Sequence, residues 1–207
     1  MANEKLEKDE EKWETEFWSK DSTPWDQGDA SPALKYAVEK KYFKGKVLVA
    51  GAGWGWDVIY LAAHGYKATG LDISPTCVAK CKEKHGVVKN AEFICHDFFR
   101  LPDSDLYDSA FDYTFFCAID PDMREAWGKS YSNLIKSGGN LVTLMFPILP
   151  PRNKLSPNGP PHHAPFEAYE AVLHDFILMK KFEVGEIESS TTTNRSGFEQ
   201  LAIWKRK

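Results

Sequence analysis

Short apolar runs alternate with helical patterns along most of the chain, and this alternation limits the possible folds more than any other feature. The runs that are typical of buried strands lie at residues 46–50, 68–73, 92–95, 113–119 and 140–146. Helical patterns separate several of them, as they do in βαβ units. The sequence therefore predicts an α/β fold built on a parallel sheet.

Capping residues indicate where the helices begin. A helix at residues 57–63 follows a glycine-rich loop. Ser74, followed by a proline, predicts the N-terminus of a helix at residues 76–85. Asp120, also followed by a proline, predicts a helix at residues 121–136, which the glycine pair after it ends.

The last third of the chain combines a proline-rich stretch with further regular elements. Residues 147–165 are too rich in proline for regular structure, and either a lid over a pocket or a solvated connector fits them. A helix is predicted at 166–178, and two strands are predicted at 182–188 and 198–205. Because a polar turn joins these strands, they predict an antiparallel edge on the parallel sheet.

Length and charge narrow the class of protein. The 207 residues suit one domain spanning 1–207, in which the charged residues 1–12 are candidates for disorder. A net charge of −4 argues against a nucleic-acid partner. The charged start lacks the apolar core of a signal peptide and no apolar run is long enough to span a membrane, so we expect a cytoplasmic protein with no membrane partner.

The cysteines argue for a reducing environment. None of the four forms a CxxC pair, and each falls in a predicted helix or strand. Buried, reduced thiols are therefore favoured over disulfides, and no metal site is expected. The cysteines are Cys77, Cys81, Cys95 and Cys117.

A glycine loop follows the first predicted strand and precedes a helix, where a ligand can approach the backbone closely. Its glycines, Gly51, Gly53 and Gly55, follow a GxGxG spacing, and Trp56 stands where a dinucleotide-binding loop needs its third glycine. The loop also lacks the lysine of a triphosphate-binding loop. Both of these nucleotide classes are therefore disfavoured.

Acidic residues end the next two predicted strands. Asp72 lies 21 residues after Gly51, where a carboxylate can accept the two hydroxyls of a ribose. Asp97 ends the third strand beside Phe98, which suits an adenine ring with an amino donor. Either acid could instead be a helix cap or a turn residue.

An adenosine ligand without phosphates fits these residues, and S-adenosyl-L-methionine is such a ligand. Its sulfonium is cationic and is attracted to aromatic faces. Five of the seven tryptophans lie in the first 56 residues, and Trp13, Phe17 and Trp18 fall close together on a predicted helix. That helix is either the roof of a cofactor pocket or an ordinary amphipathic helix packed on the core.

Taken together, these motifs resemble the thiopurine-methyltransferase-like superfamily, and within it the halide and thiol methyltransferases of plants and fungi. The resemblance extends over nearly the whole chain. The strings that carry it are TPWDQG from Thr23, GAGWGWD from Gly51, GLDIS from Gly70, HDFF from His96, FDYTFFCAIDP from Phe111, LMFP from Leu144 and GPP from Gly159.

The resemblance implies a class I methyltransferase with a Rossmann-like, seven-stranded, mostly parallel sheet and an antiparallel edge strand. It implies S-adenosyl-L-methionine as cofactor, S-adenosyl-L-homocysteine as product, and a small soft nucleophile as substrate: hydrosulfide or another thiol, thiocyanate or a halide. It also implies that residues 13–45 contain helices that cover the cofactor. From its proline content we assign 147–165 to a lid loop. We expect a monomer.

The resemblance also assigns residues to the site. Trp18 and Trp25 would close over the cofactor, and Gly51 would lie beside its methionine part. Asp72 would hold the ribose, and Asp97 and Phe98 would hold the adenine. Tyr113 would face the sulfonium. The cofactor site further includes Gly53, Gly55 and Ile73. The substrate pocket would comprise Trp25, Tyr113, Phe146 and His163. Two residues depart from the family pattern: Trp54 in the glycine loop, and Phe146, where plant members resemble LMYP.

The expected reaction is an in-line displacement, which needs positioning and the exclusion of water rather than a metal. A halide or thiocyanate needs no base, and a thiol is partly ionised near neutral pH. We assign no catalytic base: His162 and His163 could act from the lid or be solvated, and Cys117 is more typical of a structural thiol. Two alternatives stay open, a larger acceptor such as an aromatic thiol or small carboxylate, and a cofactor-binding module without turnover.

Overall fold

The computed structural model describes residues 11–102, 106–149, 159–187, 195 and 197–207. Within them, seven strands form one sheet in the order β3-β2-β1-β4-β5-β7-β6. Strands β1 to β5 are parallel, and β7 runs antiparallel to both of its neighbours. The strands are β1 Lys46–Ala50, β2 Lys67–Asp72, β3 Ala91–Cys95, β4 Tyr107–Tyr113, β5 Ile135–Met145, β6 Phe176–Lys181 and β7 Gln200–Arg206.

Helices cover both faces of this sheet, so the predicted α/β class with a mostly parallel sheet is confirmed. Because neighbouring strand residues point to opposite faces, Val47 and Leu48 of β1 belong to two different core layers. The first layer contains α1, α2 and α3, and the second contains α4 and α5. The helices are α1 Pro32–Glu39, α2 Trp56–Ala63, α3 Pro75–His85, α4 Arg124–Leu134 and α5 Phe166–Glu170.

The predicted cap of α3 is confirmed. The Ser74 hydroxyl accepts a hydrogen bond from the Cys77 backbone N–H at 2.9 Å, and Pro75 takes the first helical position. The cap fixes the direction in which the chain leaves β2, and therefore also the position of Asp72 at the end of that strand.

The predicted strand at residues 113–119 is wrong, because β4 ends at Tyr113. Thr114 adopts a left-handed conformation with φ 65°, and residues 115–119 form a turn closed by a hydrogen bond from the Ala118 N–H to the Phe115 carbonyl. Cys117 therefore lies in this turn and does not end a strand. The apolar run that suggested a strand is buried because the turn packs into the core.

The glycine pair after α4 does not end that helix. A short helical turn, Pro121–Met123, precedes α4, which ends at Leu134, and β5 begins at the next residue. Gly138 and Gly139 lie inside β5, beside an irregularity in its pairing with β4. A Cβ atom on Gly139 would stand 2.7 Å from the Asp108 carbonyl oxygen, so the glycine allows the two strands to pass closely.

The predictions for the last third of the chain were partly wrong. The helix predicted at 166–178 is limited to α5; residues 171–175 form turns, and residues 176–178 instead begin the edge strand β6. The strand predicted at 182–188 begins where β6 has already ended. The strand predicted at 198–205 is confirmed as β7. The joining turn, the lid residues 150–158 and residues 1–10 lie wholly or largely outside the described residues.

The four cysteines form no disulfide, and three of them are buried as expected. Cys95 is the exception: it is exposed, because it ends β3 at the sheet edge farthest from β6. In the described part of the chain every helix is too short or too polar to span a bilayer. The same residues contain no group of three or more histidine, cysteine or acidic side chains arranged to hold a metal ion.

Candidate functional site

A cavity of about 450 Å³ opens at the carboxyl ends of the parallel strands. In open α/β sheets this edge, next to the point where the strand order reverses, is where ligands bind. Here the reversal falls between β1 and β4. The residues that directly follow β1 and β4, Gly51 and Thr114, line the cavity, as do Asp72 and Asp97.

The backbone of the glycine loop lines the cavity. Gly51 and Gly53 line it and have φ values of 60° and 52°. A Cβ atom on Gly51 would lie 2.9 Å from the ring of Phe115, so this position requires a glycine. Gly55 does not line the cavity. It starts α2 and packs behind the loop, where a Cβ atom would lie 2.5 Å from the ring of Phe93.

The Asp72 carboxylate is held at the end of β2 by backbone donors. One oxygen accepts the Gly53 N–H at 3.2 Å, and the other accepts the Ser74 N–H at 3.1 Å. Desolvation by burial is the largest influence on this group and raises the pKa of Asp72 above its usual value. Ile73, the next residue, also lines the cavity.

Asp97 both lines the cavity and caps a helical turn. Its Oδ1 accepts the Phe99 N–H at 2.8 Å, and its Oδ2 lies 3.3 Å from the Arg100 Nε. Phe98, in the same turn, is buried and contributes to the cavity wall. The two roles that the sequence left open for Asp97 are therefore compatible.

Aromatic side chains near the N-terminus cover the cavity. Trp13, Phe17, Trp18 and Trp25 all line it. The Trp25 ring centroid lies 5.3 Å from that of Trp13, 5.1 Å from that of Phe17 and 6.3 Å from that of Trp18. We call this group the aromatic roof. Trp18 is also 2% exposed and belongs to the core, so lining the cavity and packing on the core are compatible for this side chain.

Polar contacts fasten the roof to the sheet layer. Glu14 accepts hydrogen bonds from the hydroxyls of Ser74 and Thr76 at the N-terminus of α3. The indole N–H of Trp54 donates to the Thr23 hydroxyl at 3.0 Å. The indole N–H of Trp56 donates to Asp26 at 2.9 Å. These tryptophans of the glycine loop therefore hold the segment that carries Trp25.

The part of the cavity around Phe146 and Arg195, which we call the acceptor end, is mostly apolar. Its walls include Ile119, Phe146, Pro160 and Pro161. Arg195 adds a guanidinium that is only 6% exposed and stands 4.6 Å from the centroid of the Phe146 ring. Arg195 is not among the predicted site residues, because it falls in the polar turn predicted between the last two strands.

Arg195 is fixed by partners from distant parts of the chain. Its Nη1 donates to the Tyr113 hydroxyl at 2.5 Å, and its Nη2 donates to the Trp25 carbonyl at 2.8 Å. The Tyr113 hydroxyl in turn donates to the Glu199 Oε1 at 2.5 Å. Burial and the neighbouring Glu199 carboxylate raise the pKa of Tyr113, so this phenol stays protonated.

Two residues assigned to the substrate pocket lie behind its wall. Tyr113 does not line the cavity; it contacts Arg195, which does. His163 does not line it either: its Nε2 lies 3.2 Å from the Ile148 carbonyl, and its own carbonyl accepts from Arg124. Trp25 and Phe146 do line the cavity. Cys117 lines it as well, and burial raises the pKa of its thiol to about 12.

A family model described as thiopurine S-methyltransferase matches residues 8–207. The chain belongs to this family. Thiocyanate methyltransferase 1 of Arabidopsis thaliana is 39% identical over 198 residues, which cover 94% of this chain and 84% of that protein. Probable thiol methyltransferase 2 of the same plant is 36% identical over 199 residues, again covering 94% and 84%.

Solved structures share the fold of this methyltransferase. The structure described as "Conversion of a Disulfide Bond into a Thioacetal Group during Echinomycin Biosynthesis" has a TM-score of 0.71 at 20% identity, covering 89% of this chain and 84% of that one. The N-methyltransferase NodS from Bradyrhizobium japonicum WM9, in complex with S-adenosyl-L-homocysteine, has a TM-score of 0.65 at 15% identity, covering 97% and 96%. The methyltransferase is an enzyme of class EC 2.1.1, and its cofactor is S-adenosyl-L-methionine.

The cavity fits that cofactor. It offers carboxylate acceptors at Asp72 and Asp97 for hydroxyl and amino donors, and the aromatic roof for a cation. Among the described residues, a Cβ atom on Gly53 would meet only the indole nitrogen of Trp25, at 3.9 Å, so the glycine leaves space beside the loop.

Proposed function

We propose that this methyltransferase transfers a methyl group to a small soft nucleophile: thiocyanate, hydrosulfide or another small thiol, or a halide. The observation that carries the proposal is the buried Arg195 guanidinium in an otherwise apolar acceptor end. A positive group among apolar walls favours a small, weakly hydrated anion, which loses little by leaving water. The names of the two plant relatives point to the same class of acceptor.

The cofactor end would hold the adenosyl group through the residues that the sequence identified. Asp72 would accept the ribose hydroxyls, and Asp97 with Phe98 and Ile73 would bind the adenine. Gly51 and Gly53 would lie beside the methionine part of the cofactor, and Gly55 would support the loop from behind. Trp18 and Trp25, with Trp13 and Phe17, would cover the cofactor and exclude water.

The cofactor supplies a methyl group on a positively charged sulfur, ready for displacement. The protein's task is then to hold the acceptor in line and to keep water out. Arg195 would hold the anion, while Phe146, Pro160 and Pro161 would form the apolar wall around it. No proton has to move when the acceptor is already an anion, so the reaction needs no catalytic base.

The test is a headspace assay with purified protein and S-adenosyl-L-methionine. Hydrosulfide, thiocyanate, iodide, bromide and chloride are offered separately and ranked by kcat/KM. The proposal expects volatile methylated products, with the soft anions ahead of chloride. Hydrosulfide ahead of iodide would indicate sulfide or thiol methylation as the main activity.

The control is the Asp72→Ala variant, which keeps the acceptor end and should give no product. If wild-type protein binds the cofactor but methylates none of the five anions, the proposal is wrong. Aromatic thiols and small carboxylates are then the next acceptors to offer, and a protein that transfers methyl to none of these would be a cofactor-binding module.

A further inference from the structure

A second charged side chain lies directly behind Arg195. The Glu199 side chain is fully buried, and its Oε1 lies 3.7 Å from the Arg195 Nη1. The Tyr113 hydroxyl bridges the two groups, since it accepts from Arg195 and donates to Glu199, each at 2.5 Å. Neither Glu199 nor Tyr113 lines the cavity. An acceptor would therefore feel Glu199 mainly through Arg195.

Methyl transfer to an anionic acceptor changes the charges that lie next to Arg195. As an anionic acceptor attacks, its lone pair forms the new bond to the methyl carbon, and the electrons of the old carbon–sulfonium bond return to sulfur. An anion and a cation become two neutral products, and no proton is transferred. A positive side chain near the acceptor therefore stabilises the bound anion more than the transition state, in which the negative charge is already reduced.

An isolated buried guanidinium would thus bind the acceptor tightly and slow its reaction. Only interactions that are stronger in the transition state than in the bound state accelerate the chemical step. A carboxylate 3.7 Å from the guanidinium cancels part of its field. Arg195 then still offers N–H donors to the anion, but its electrostatic attraction for the anion is weaker.

We propose that Glu199, with Tyr113 as its bridge, is a positioning residue that orients Arg195 and cancels part of its charge, which keeps the acceptor anion loosely bound and reactive. This inference rests on the proposed function, because it requires an anionic acceptor at Arg195. It assigns a role to two side chains that do not touch the acceptor.

The test is the Glu199→Gln variant assayed with thiocyanate. We expect KM to fall by roughly tenfold, because the positive charge is no longer balanced, and kcat to fall as well. A purely structural defect would lower kcat without tightening KM. Glu199→Asp, which keeps the charge, should return both constants toward the wild-type values. Glu125→Gln, at an exposed carboxylate on α4, is the control for overall charge and should change neither constant.

A double variant separates action through Arg195 from any other route. In the Arg195→Gln background, Glu199→Gln should leave the KM for thiocyanate unchanged, because there is no guanidinium charge to balance. If the Glu199→Gln protein does not fold, Tyr113→Phe provides the second test. It keeps both charges but removes the bridge, and it should raise KM because Arg195 loses a partner that fixes it.

A binding measurement keeps this inference distinct from the proposed function. Calorimetric titration of thiocyanate into the complex with S-adenosyl-L-homocysteine should show tighter binding by Glu199→Gln than by wild type. If wild-type protein methylates no anion, the proposed function fails, while the titration still tests Glu199. Equal or weaker thiocyanate binding by a folded Glu199→Gln protein, or an effect of the same size without Arg195, overturns the inference.

Discussion

The cofactor end and the acceptor end of the cavity are assembled from very different lengths of chain. The cofactor end comes from consecutive βα units, in which Gly51, Asp72 and Asp97 each follow or end a strand of the sheet. The acceptor end joins Trp25 to Arg195, which are 170 residues apart, and Tyr113 to the same arginine. The cofactor end therefore depends on local strand geometry, whereas the acceptor end depends on contacts between residues that are far apart in the sequence.

This difference predicts that single changes at the cofactor end affect cofactor binding alone, and changes at the acceptor end affect the acceptor alone. The largest effect is expected for Asp72→Ala. Hydrogen bonds to a charged group contribute about 1.5–3 kcal/mol each, so losing two ribose contacts should weaken binding of S-adenosyl-L-homocysteine by about 100-fold or more. Isothermal titration calorimetry measures this affinity directly.

The matched control is Asp175→Ala, since Asp175 is half-exposed and lies outside the cavity. It should bind S-adenosyl-L-homocysteine as wild type does. A folded Asp72→Ala protein with unchanged affinity would remove Asp72 from the cofactor site and, with it, the strongest argument that this end of the cavity holds the ribose.

A buried carboxylate on β4, hydrogen-bonded to the turn that follows this strand, gives the second prediction. Asp112 is 1% exposed and accepts hydrogen bonds from Trp127, Tyr131 and the Phe116 N–H. Burial raises the pKa of Asp112 to about 6, above its usual value of 3.8. The folded state therefore binds this proton more tightly than the unfolded state does. The stabilisation is complete below about pH 4 and is lost as the pH rises through about 6.

From this group alone, the free energy of unfolding should fall by about 3 kcal/mol between pH 4 and pH 7.5. Asp112→Asn cannot ionise, so its unfolding free energy should lack this part of the slope, although its amide gives up the hydrogen bond with the Phe116 N–H. Urea denaturation of both proteins at several pH values measures the difference. Parallel pH profiles would show that Asp112 does not titrate in this range.

The same contrast explains which elements the sequence could predict. The first three strands were predicted within one residue of their observed bounds, because β1, β2 and β3 are short runs between clear turn and cap residues. Strand β4 was missed because Asp108, Ser109 and Asp112 interrupt its apolar pattern. Each of these polar side chains is paired with a backbone N–H, those of Lys46, Lys44 and Phe116 respectively, and Ser109 and Asp112 are buried.

The candidate site divides in the same way. Local motifs and the family resemblance together assigned eight residues that all line the cavity: Trp18, Trp25, Gly51, Gly53, Asp72, Ile73, Asp97 and Phe98. Their cofactor contacts stay a prediction. Arg195 and Glu199 were not found, because an arginine in a polar turn carries no local signal. The partners of Arg195 are brought to it only by the tertiary fold, in which β7 pairs with β5.

The third prediction changes the acceptor end alone. Arg195→Gln removes the positive charge and should raise the KM for thiocyanate by roughly thirtyfold, the loss of about 2 kcal/mol for a hydrogen bond to a charged group. Binding of S-adenosyl-L-homocysteine should stay close to that of wild type. Arg195→Lys keeps the charge but not the paired donors, and it should fall between the two. A large loss of cofactor affinity in Arg195→Gln would show that the two ends are not independent.

The smallest expected effect tests the aromatic roof, which lines the cavity and includes Trp25, whose carbonyl accepts a hydrogen bond from Arg195. Trp54→Phe removes the indole donor to Thr23 and should weaken binding of S-adenosyl-L-homocysteine by roughly fivefold, the cost of one neutral hydrogen bond of about 1 kcal/mol. Trp204→Phe is the matched control, because Trp204 donates to Thr143 at the same 3.0 Å inside the sheet, away from the cavity. It should lower the Tm without changing the affinity. If both variants weaken cofactor binding equally, the effect of Trp54 reflects overall stability, and the roof is not held by this contact.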